Sequence, residues 1–340
     1  MATRFTFNNL KNIFEQKRFN HLHSKIFTGR ILGMSVEDKL MSMKEAIKKF
    51  VNDGDTVYMA GFTHLIPFSA GHEIIRQKKR NLTLCRLTPD IIFDQMIAAG
   101  CAKKVVFSWA GNPGVGTLRA FRRAVEKGYP NSIEIEEYTH FSMICRIMAG
   151  ALHIPFIPLK SLRGSDLPKY NPNIKVLNCP YTGREICVVP ALNPDVSIIH
   201  AQRADKNGNV QVWGILGDIK EAAFAAKRVI VSVEEIVDEN VIRSDPNRTV
   251  IPDFMVDALV EEPWAAHPSY AQGYYDRDNE FYIEWDKISM EPETLQKYLD
   301  EWVYGVENRA EYVKKLGVEK IMKLKPKSFY SLPVNYGMYM

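Results

Sequence analysis

The sequence predicts an α/β fold: a mostly parallel sheet with helices on both faces, followed by a helical C-terminal segment. Three observations lead there. From Lys39 onward the hydrophobic period switches repeatedly between that of an amphipathic helix and that of a strand. The strand segments are near-continuous apolar runs, the pattern of parallel strands covered on both faces. No internal repeat or low-complexity block interrupts this over 340 residues, a length that buries one large core or two medium ones.

Residues 35–51 read as the first helix, with Ser35 as N-cap and acids in the first turn. NDGD ends it and turns the chain into TVYMAGF (56–62), a short buried strand. GHEIIRQKKR (71–80) is the next helix, NLTLCRL (81–87) a strand, and IIFDQMIAAG (91–100) a helix closed by Gly100. KKVVFSW (103–109) is again a strand, and TLRAFRRAVEKG (117–128) a helix with Gly128 as its C-terminal cap. SIEIEEY (132–138), the helix FSMICRIMAGAL (141–152) and the strand IPFIPL (154–159) continue the alternation.

A second half opens near Lys160 with the polar loop SLRGSDLPKYNPNIK (161–175). After it come the strands EICVVPAL (185–192), DVSIIHAQ (195–202) and RVIVSVEEIV (228–237), with the helix DIKEAAFAAK (218–227) before the last. The turn Lys206-Asn207-Gly208-Asn209, between IIHAQ and VQVWG, is a hairpin signal. Beyond Pro252 the chain reads as helical and mixed.

The two ends differ from this domain, which is expected over 34–324. Residues 1–33 are rich in Lys, Arg, Asn and Phe with Glu15 as their only acid, and read as a disordered extension or the product of an upstream start; a mitochondrial address is the sharper alternative. Residues 325–340 read as a tail that must lean on another surface to be ordered.

Composition excludes several classes of function. A net charge of +4, without a basic stripe of interleaved aromatics, argues against nucleic acid as a partner. The longest apolar runs fall far short of the twenty or so residues a helix needs to cross a bilayer, so no membrane role is expected. The five cysteines are odd in number and widely spaced, with no C-x-x-C and no Cys/His cluster at zinc spacing. They read as reduced core thiols of a cytoplasmic protein, and no metal site is expected.

Three loops leave strands at the end where ligands collect in open α/β sheets. In AGFTHLIPFSAGHEI, Gly61 ends a buried strand and lets another group approach the backbone. GNPGVG (111–116) follows a strand and precedes a helix; it is neither a dinucleotide fingerprint nor a P-loop. Its Val115, Gly116 and Thr117 are expected to present N–H groups at a helix N-terminus, where an oxyanion or phosphate is favoured, though tight packing alone explains the glycines equally well. PLKSLRGSDL is the third loop.

Among acids, Glu234 and Glu235 end a strand, where a surface or interface role outweighs that of a nucleophile in a dry niche. Glu307 sits between helices. No G-x-S-x-G elbow is present. His140, His153, His200 and His267 read as satisfied core or loop residues, with His267 ordering its loop.

Taken together, these stretches resemble the A subunits of family I coenzyme A transferases. MAGFTHLIP (59–67) is similar to that family's glycine-phenylalanine loop followed by proline. SWAGNPGVGTLRAFRRAVEKG, IEIEEYTHFSMICRIMAGALHIPFIPLKSLRGSDL and VVPALNPDVSIIHAQRADKNGNVQ resemble successive signatures of its glutaconate-type branch, from about Met34 to about Arg277. The resemblance implies an α/β fold and an active site shared with a B subunit in a hetero-oligomer. It also implies transfer of coenzyme A between an acyl-CoA and a carboxylic or dicarboxylic acid through a glutamyl-CoA intermediate, with coenzyme A as substrate and no permanently bound cofactor.

The nucleophile of that family lies in a serine-glutamate-asparagine-glycine motif of the B half, absent here; VEN at 306–308 is its nearest echo, between Gly305 and Arg309. The resemblance therefore implies the non-nucleophilic subunit. Its contribution would be backbone donors and pocket walls from Gly61, Phe62 and Thr63 and from Asn112, Gly114, Val115 and Gly116. Lys160, Arg163 and Ser165 would pair with a distal carboxylate or with CoA phosphates.

Ring-cleaving CoA hydrolases share the fold and carry an acid in the segment matching EEYTHFSM. The aligned position here is His140, with Glu136 and Glu137 a little earlier, which tilts the reading toward transfer. A non-catalytic CoA-ester binding subunit is a second alternative. A sugar-phosphate isomerase or sensor domain of related topology is disfavoured, because it does not explain the blocks between 140 and 210.

Overall fold

The structure is a computed structural model and describes residues 39–326. Ser35, the extension over 1–33 and most of the expected tail lie outside the described residues. Twelve strands are described: β1 (Thr56–Met59), β2 (Leu82–Cys85), β3 (Ala102–Phe107), β4 (Glu134–Glu137), β5 (Phe156–Leu159), β6 (Lys175–Asn178), β7 (Glu185–Pro190), β8 (Val196–Asp205), β9 (Val210–Gln211), β10 (Arg228–Val237), β11 (Thr249–Ile251) and β12 (Ala258–Glu261). Helices α1 (Met43–Phe50), α2 (Phe68–Arg76), α3 (Ile91–Ala98), α4 (Arg119–Lys127), α5 (His140–Ala151), α6 (Leu167–Tyr170), α7 (Ile219–Ala225) and α8 (Glu239–Ser244) alternate with them. The C-terminal segment is helical, as expected, with α9 (Asn279–Ile288), α10 (Pro292–Leu299), α11 (Arg309–Leu316) and α12 (Val318–Leu324).

The main sheet runs β12-β10-β8-β1-β2-β3-β4, every neighbouring pair parallel. Both faces are covered, because alternate residues enter different cores. Val57 and Met59 pack with α1, α2, α3 and the C-terminal helices, while Tyr58 and Ala60 pack with α5 and α7. β8 pairs with β10 along its length. Its other edge is shared: β1 takes Val196–Ile198 and antiparallel β9 takes Arg203–Ala204. The hairpin expected at 206–209 is the link between β8 and β9, with the Asp205 carboxylate accepting the N–H groups of Asn207, Gly208 and Asn209 at 3.0 Å.

Four expectations are corrected. Among the described residues the first helix begins at Met43, with 39–42 not helical: Ser42 and Glu45 form a capping box, and the preceding Met41 donates its N–H to Leu259 O at 3.0 Å beside β12. IPFIPL and EICVVPAL leave the parallel sheet and form a separate antiparallel sheet in the order β5-β7-β6. β6 and α6 arise within and just after the segment read as a polar loop. β12, which completes the main sheet, lies in the region read as helical and mixed, where no strand is expected.

Candidate active site

Strand order reverses between β1 and β8: the chain runs from β1 through β4 one way and from β8 to β12 the other. Ligands of open parallel sheets sit outside the carboxyl ends of strands at such a point. The loop leaving β1 there is AGFTHLIP, which contains Gly61, Phe62 and Thr63. Gly61 has φ +103°, and a Cβ on it would lie 2.7 Å from His64 O and 2.8 Å from Leu65 O. Only glycine tolerates so tight a fold. Thr63 (φ +56°) and Leu65 (φ +55°) are also left-handed, a cost of about 1–3 kcal/mol each that marks a conformation fixed by its surroundings.

Those surroundings are polar and buried. Gly61 N–H donates to Asp218 Oδ1 (3.4 Å), and Gly61 O accepts from Arg86 Nη2 (2.8 Å). Arg86 Nε reaches Thr88 O at 3.0 Å, and the Tyr58 hydroxyl donates to Asp218 Oδ2. His64 contacts Ile215 O through Nδ1 (3.0 Å) while its Nε2 accepts the Gln272 N–H (3.1 Å), an arrangement that fits the neutral Nδ1–H tautomer. Burial lowers the His64 pKa to about 4.

A segment that the sequence patterns do not single out completes this side. WGILGD (213–218) lies directly on the β1 loop: a Cβ on Gly217 would meet Phe62 Cβ at 3.1 Å, and one on Gly214 would meet Gln272 Oε1 at 2.3 Å. Its two glycines, followed by an acid at a helix start, were the available signal.

GNPGVG is a closed turn. Asn112 N–H donates to Gly116 O (2.8 Å), and the N–H groups of Val115 and Gly116 both donate to Asn112 O (3.0 Å). The expected helix-terminal donors at these two residues are therefore already engaged, and α4 begins only at Arg119. The buried Asn112 side chain donates to Tyr282 O (2.7 Å), and Arg277, stacked on the Tyr282 ring, donates to Pro113 O (3.1 Å). Gly114 and Gly116 are exposed. His140, at the start of α5, brings its ring to 6.3 Å from that of Phe62, so the loops after β1 and β4 meet.

Lys160, Arg163 and Ser165 follow β5 on the smaller sheet and are exposed. Arg163 bonds Glu185 (3.2 Å) and Ser165 bonds Leu162 O (2.8 Å), which ties them to β7 and to their own turn.

The carboxylates are engaged. Glu234 is buried, correcting the surface reading: Oε1 contacts His200 Nε2 (2.7 Å) and accepts the Tyr275 hydroxyl (2.6 Å), while Oε2 accepts Trp264 N–H (2.7 Å). Glu136 is held by Lys104, Arg146 and Tyr138. His267 orders its loop as expected, between Tyr312 (2.9 Å) and Asp278 (3.1 Å).

A family model for coenzyme A transferase matches residues 40–262. The chain belongs to the coenzyme A transferase family. It is 52% identical over 83% of its length, and 99% of the relative's, to the A subunit of 3-oxoadipate CoA-transferase from Pseudomonas knackmussii. The A subunit of glutaconate CoA-transferase from Acidaminococcus fermentans is 34% identical over 84% of this chain and 94% of its own. The crystal structure of that bacterium's glutaconate CoA-transferase matches with a TM-score of 0.81, covering 85% of this chain and 96% of that one. A cholesterol ring-cleaving hydrolase subunit of Rhodococcus jostii stands further off, at 26% identity over 81% of this chain and 95% of the relative. This CoA-transferase chain is of the A-subunit type, nearer the 3-oxoadipate and glutaconate transferases than the hydrolase. The α/β architecture with its helical C-terminal segment is the one expected.

Proposed function

We propose that this chain pairs with a B subunit to move CoA between an acyl-CoA and a dicarboxylic acid of the 3-oxoadipate or glutaconate kind, through a glutamyl-CoA intermediate on the partner. The observation that carries this reading is the 52% identity to the A subunit of a 3-oxoadipate CoA-transferase across 99% of that relative. The site fits the division of labour: Glu234 is buried, with its carboxylate committed to His200, Tyr275 and Trp264 of this same chain.

Gly61, Phe62 and Thr63 form the thioester-facing wall, and Asn112, Gly114, Val115 and Gly116 shape the rim beside it. Lys160, Arg163 and Ser165, on the outer sheet, are available to CoA phosphates. The coenzyme is a substrate, and the reduced cysteines fit a cytoplasmic enzyme.

The test is CoA exchange between glutaryl-CoA and labelled 3-oxoadipate or glutaconate, with this chain alone and with its co-purified B subunit. Exchange only by the pair, with borohydride trapping at a partner glutamate, is expected. Release of free CoA without an acceptor would overturn transfer in favour of hydrolysis.

A further inference from the structure

The peptide groups around Gly61 are held from both sides by buried charged side chains. Arg86 is 0% exposed and Asp218 2%. They form no direct ion pair; Gly61 stands between them, its N–H on the carboxylate and its C=O on the guanidinium. Arg86 also bonds Thr88 O, so one planar fork ties the loop after β1 to the loop after β2, while its Nη1 has no partner among the described residues. The Gly61 N–H belongs to the Ala60–Gly61 peptide and its C=O to the Gly61–Phe62 peptide, so Asp218 and Arg86 hold the two peptides that flank the Gly61 Cα.

The orientation has a chemical consequence. In a trans peptide the C=O and the following N–H point in opposite directions. Gly61 C=O faces the buried Arg86, so the Phe62 N–H faces away from it. A cationic donor on the carbonyl also polarises that peptide and strengthens its N–H as a donor.

We propose that Arg86 and Asp218 are positioning residues that fix the two peptides flanking the Gly61 Cα, and with them the plane of the Gly61–Phe62 peptide, so that its outward N–H meets the thioester oxygen as charge develops there. This rests on the reading of the Gly61 loop as the thioester-facing wall. Lysine at position 86 keeps the charge but loses the fork that spans Gly61 and Thr88. Asparagine at 218 keeps one oxygen for the Gly61 N–H and removes the charge.

The test uses the enzyme assembled with its B subunit, with glutaryl-CoA as donor and a labelled dicarboxylate as acceptor. R86K is expected to lower kcat by about tenfold to a hundredfold, the effect of a misplaced catalytic group, with KM for the acyl-CoA within about twofold. D218N should move kcat in the same direction by a smaller factor. The double variant should be no worse than R86K alone, since both act on the backbone of one residue, Gly61. Ser197→Ala, equally buried but bonded to Ala222 O and outside the Arg86–Asp218 cluster, should lower the unfolding temperature while leaving kcat in place.

Wild-type kcat in R86K and D218N with only lowered stability would overturn the proposal, as would single effects that multiply in the double variant. If R86K fails to assemble, D218N decides alone. Gly61→Ala separates the two layers. If it lowers kcat while R86K and D218N do not, the loop reading stands and the positioning role falls. If all three assemble with wild-type kcat, the loop does not face the thioester and the proposal falls with it.

Discussion

Glu136 offers a quantitative test of the division between structural and chemical carboxylates. Its Oε1 accepts from the Tyr138 hydroxyl (2.6 Å) and Arg146 Nη1 (3.0 Å), and its Oε2 meets Lys104 Nζ at 2.5 Å. Burial opposes ionisation, yet hydrogen bonds from Lys104 and Tyr138 and the charge of Arg146 prevail and hold the carboxyl below its ordinary range. Glu136→Gln keeps an oxygen for Tyr138 and Arg146 but turns an amide N–H₂ toward the Lys104 ammonium. Breaking a buried pair costs about 3–5 kcal/mol, and an exposed pair contributes about 0–1 kcal/mol. Arg146 is nearly buried and Lys104 is 27% exposed, so the loss should fall between, at about 1.5–3 kcal/mol.

For a chain of this size that corresponds to a fall of roughly 2–5 °C in Tm. Because the folded pKa is depressed, this stability is present above the unfolded carboxyl's value, near 4.5, and is lost as pH falls through the lowered folded one. The gap between wild type and variant should therefore close in acid. Urea and thermal unfolding of the assembled enzyme at neutral pH and in acid measure it, with CoA exchange assayed alongside and expected to persist. Unchanged stability with turnover abolished would refute the reasoning and place Glu136 in the chemistry, as a hydrolase would require.

Gly150→Ala should destabilise the chain by about 1–3 kcal/mol, since its Cβ would stand 2.1 Å from Leu192 O and 3.0 Å from Ala225 Cβ; the denaturant midpoint reads this directly. For His64, whose folded pKa is lowered to about 4 by burial, the unfolded state binds the proton first. Stability should fall as pH drops from about 6.5 toward 4, and His64→Gln should flatten that part of the stability profile.

The core strands were legible because their signal is local. TVYM, LTLC and AKKVVF are apolar runs covered on both sides, and they occupy the places expected. The run in EICVVP looks the same yet belongs to an antiparallel sheet, because an apolar run records burial and not the direction of its neighbours. Helix α1 shows the opposite failure. Ser42, like Ser35, is followed three residues on by an acid, and the backbone bond from Met41 to distant Leu259, which ties the chain to β12 just before Ser42, leaves no local trace in the sequence.

At the site, Gly61 was readable as a place of close approach, but the approaching groups, His64 O and Leu65 O, are its own loop's. The closure of GNPGVG onto Asn112 O was not readable, since glycine spacing leaves open whether amides point outward or across the turn. Arg86 and Asp218 were missed because each lies far from Gly61 in sequence.

These long separations carry a consequence for how the protein matures. Gly61 and Asp218 are 157 residues apart, Asn112 and Tyr282 170, and His64 and Gln272 208. A nascent chain emerging from the ribosome has its first four parallel strands long before it has the partners that hold their loops. A fragment ending at Glu262 would keep every residue matched by the family model and still lack Gln272, Arg277 and Tyr282. The contacts that hold the Gly61 and Asn112 loops are thus completed last, once the C-terminal quarter of the polypeptide has been synthesised and docked.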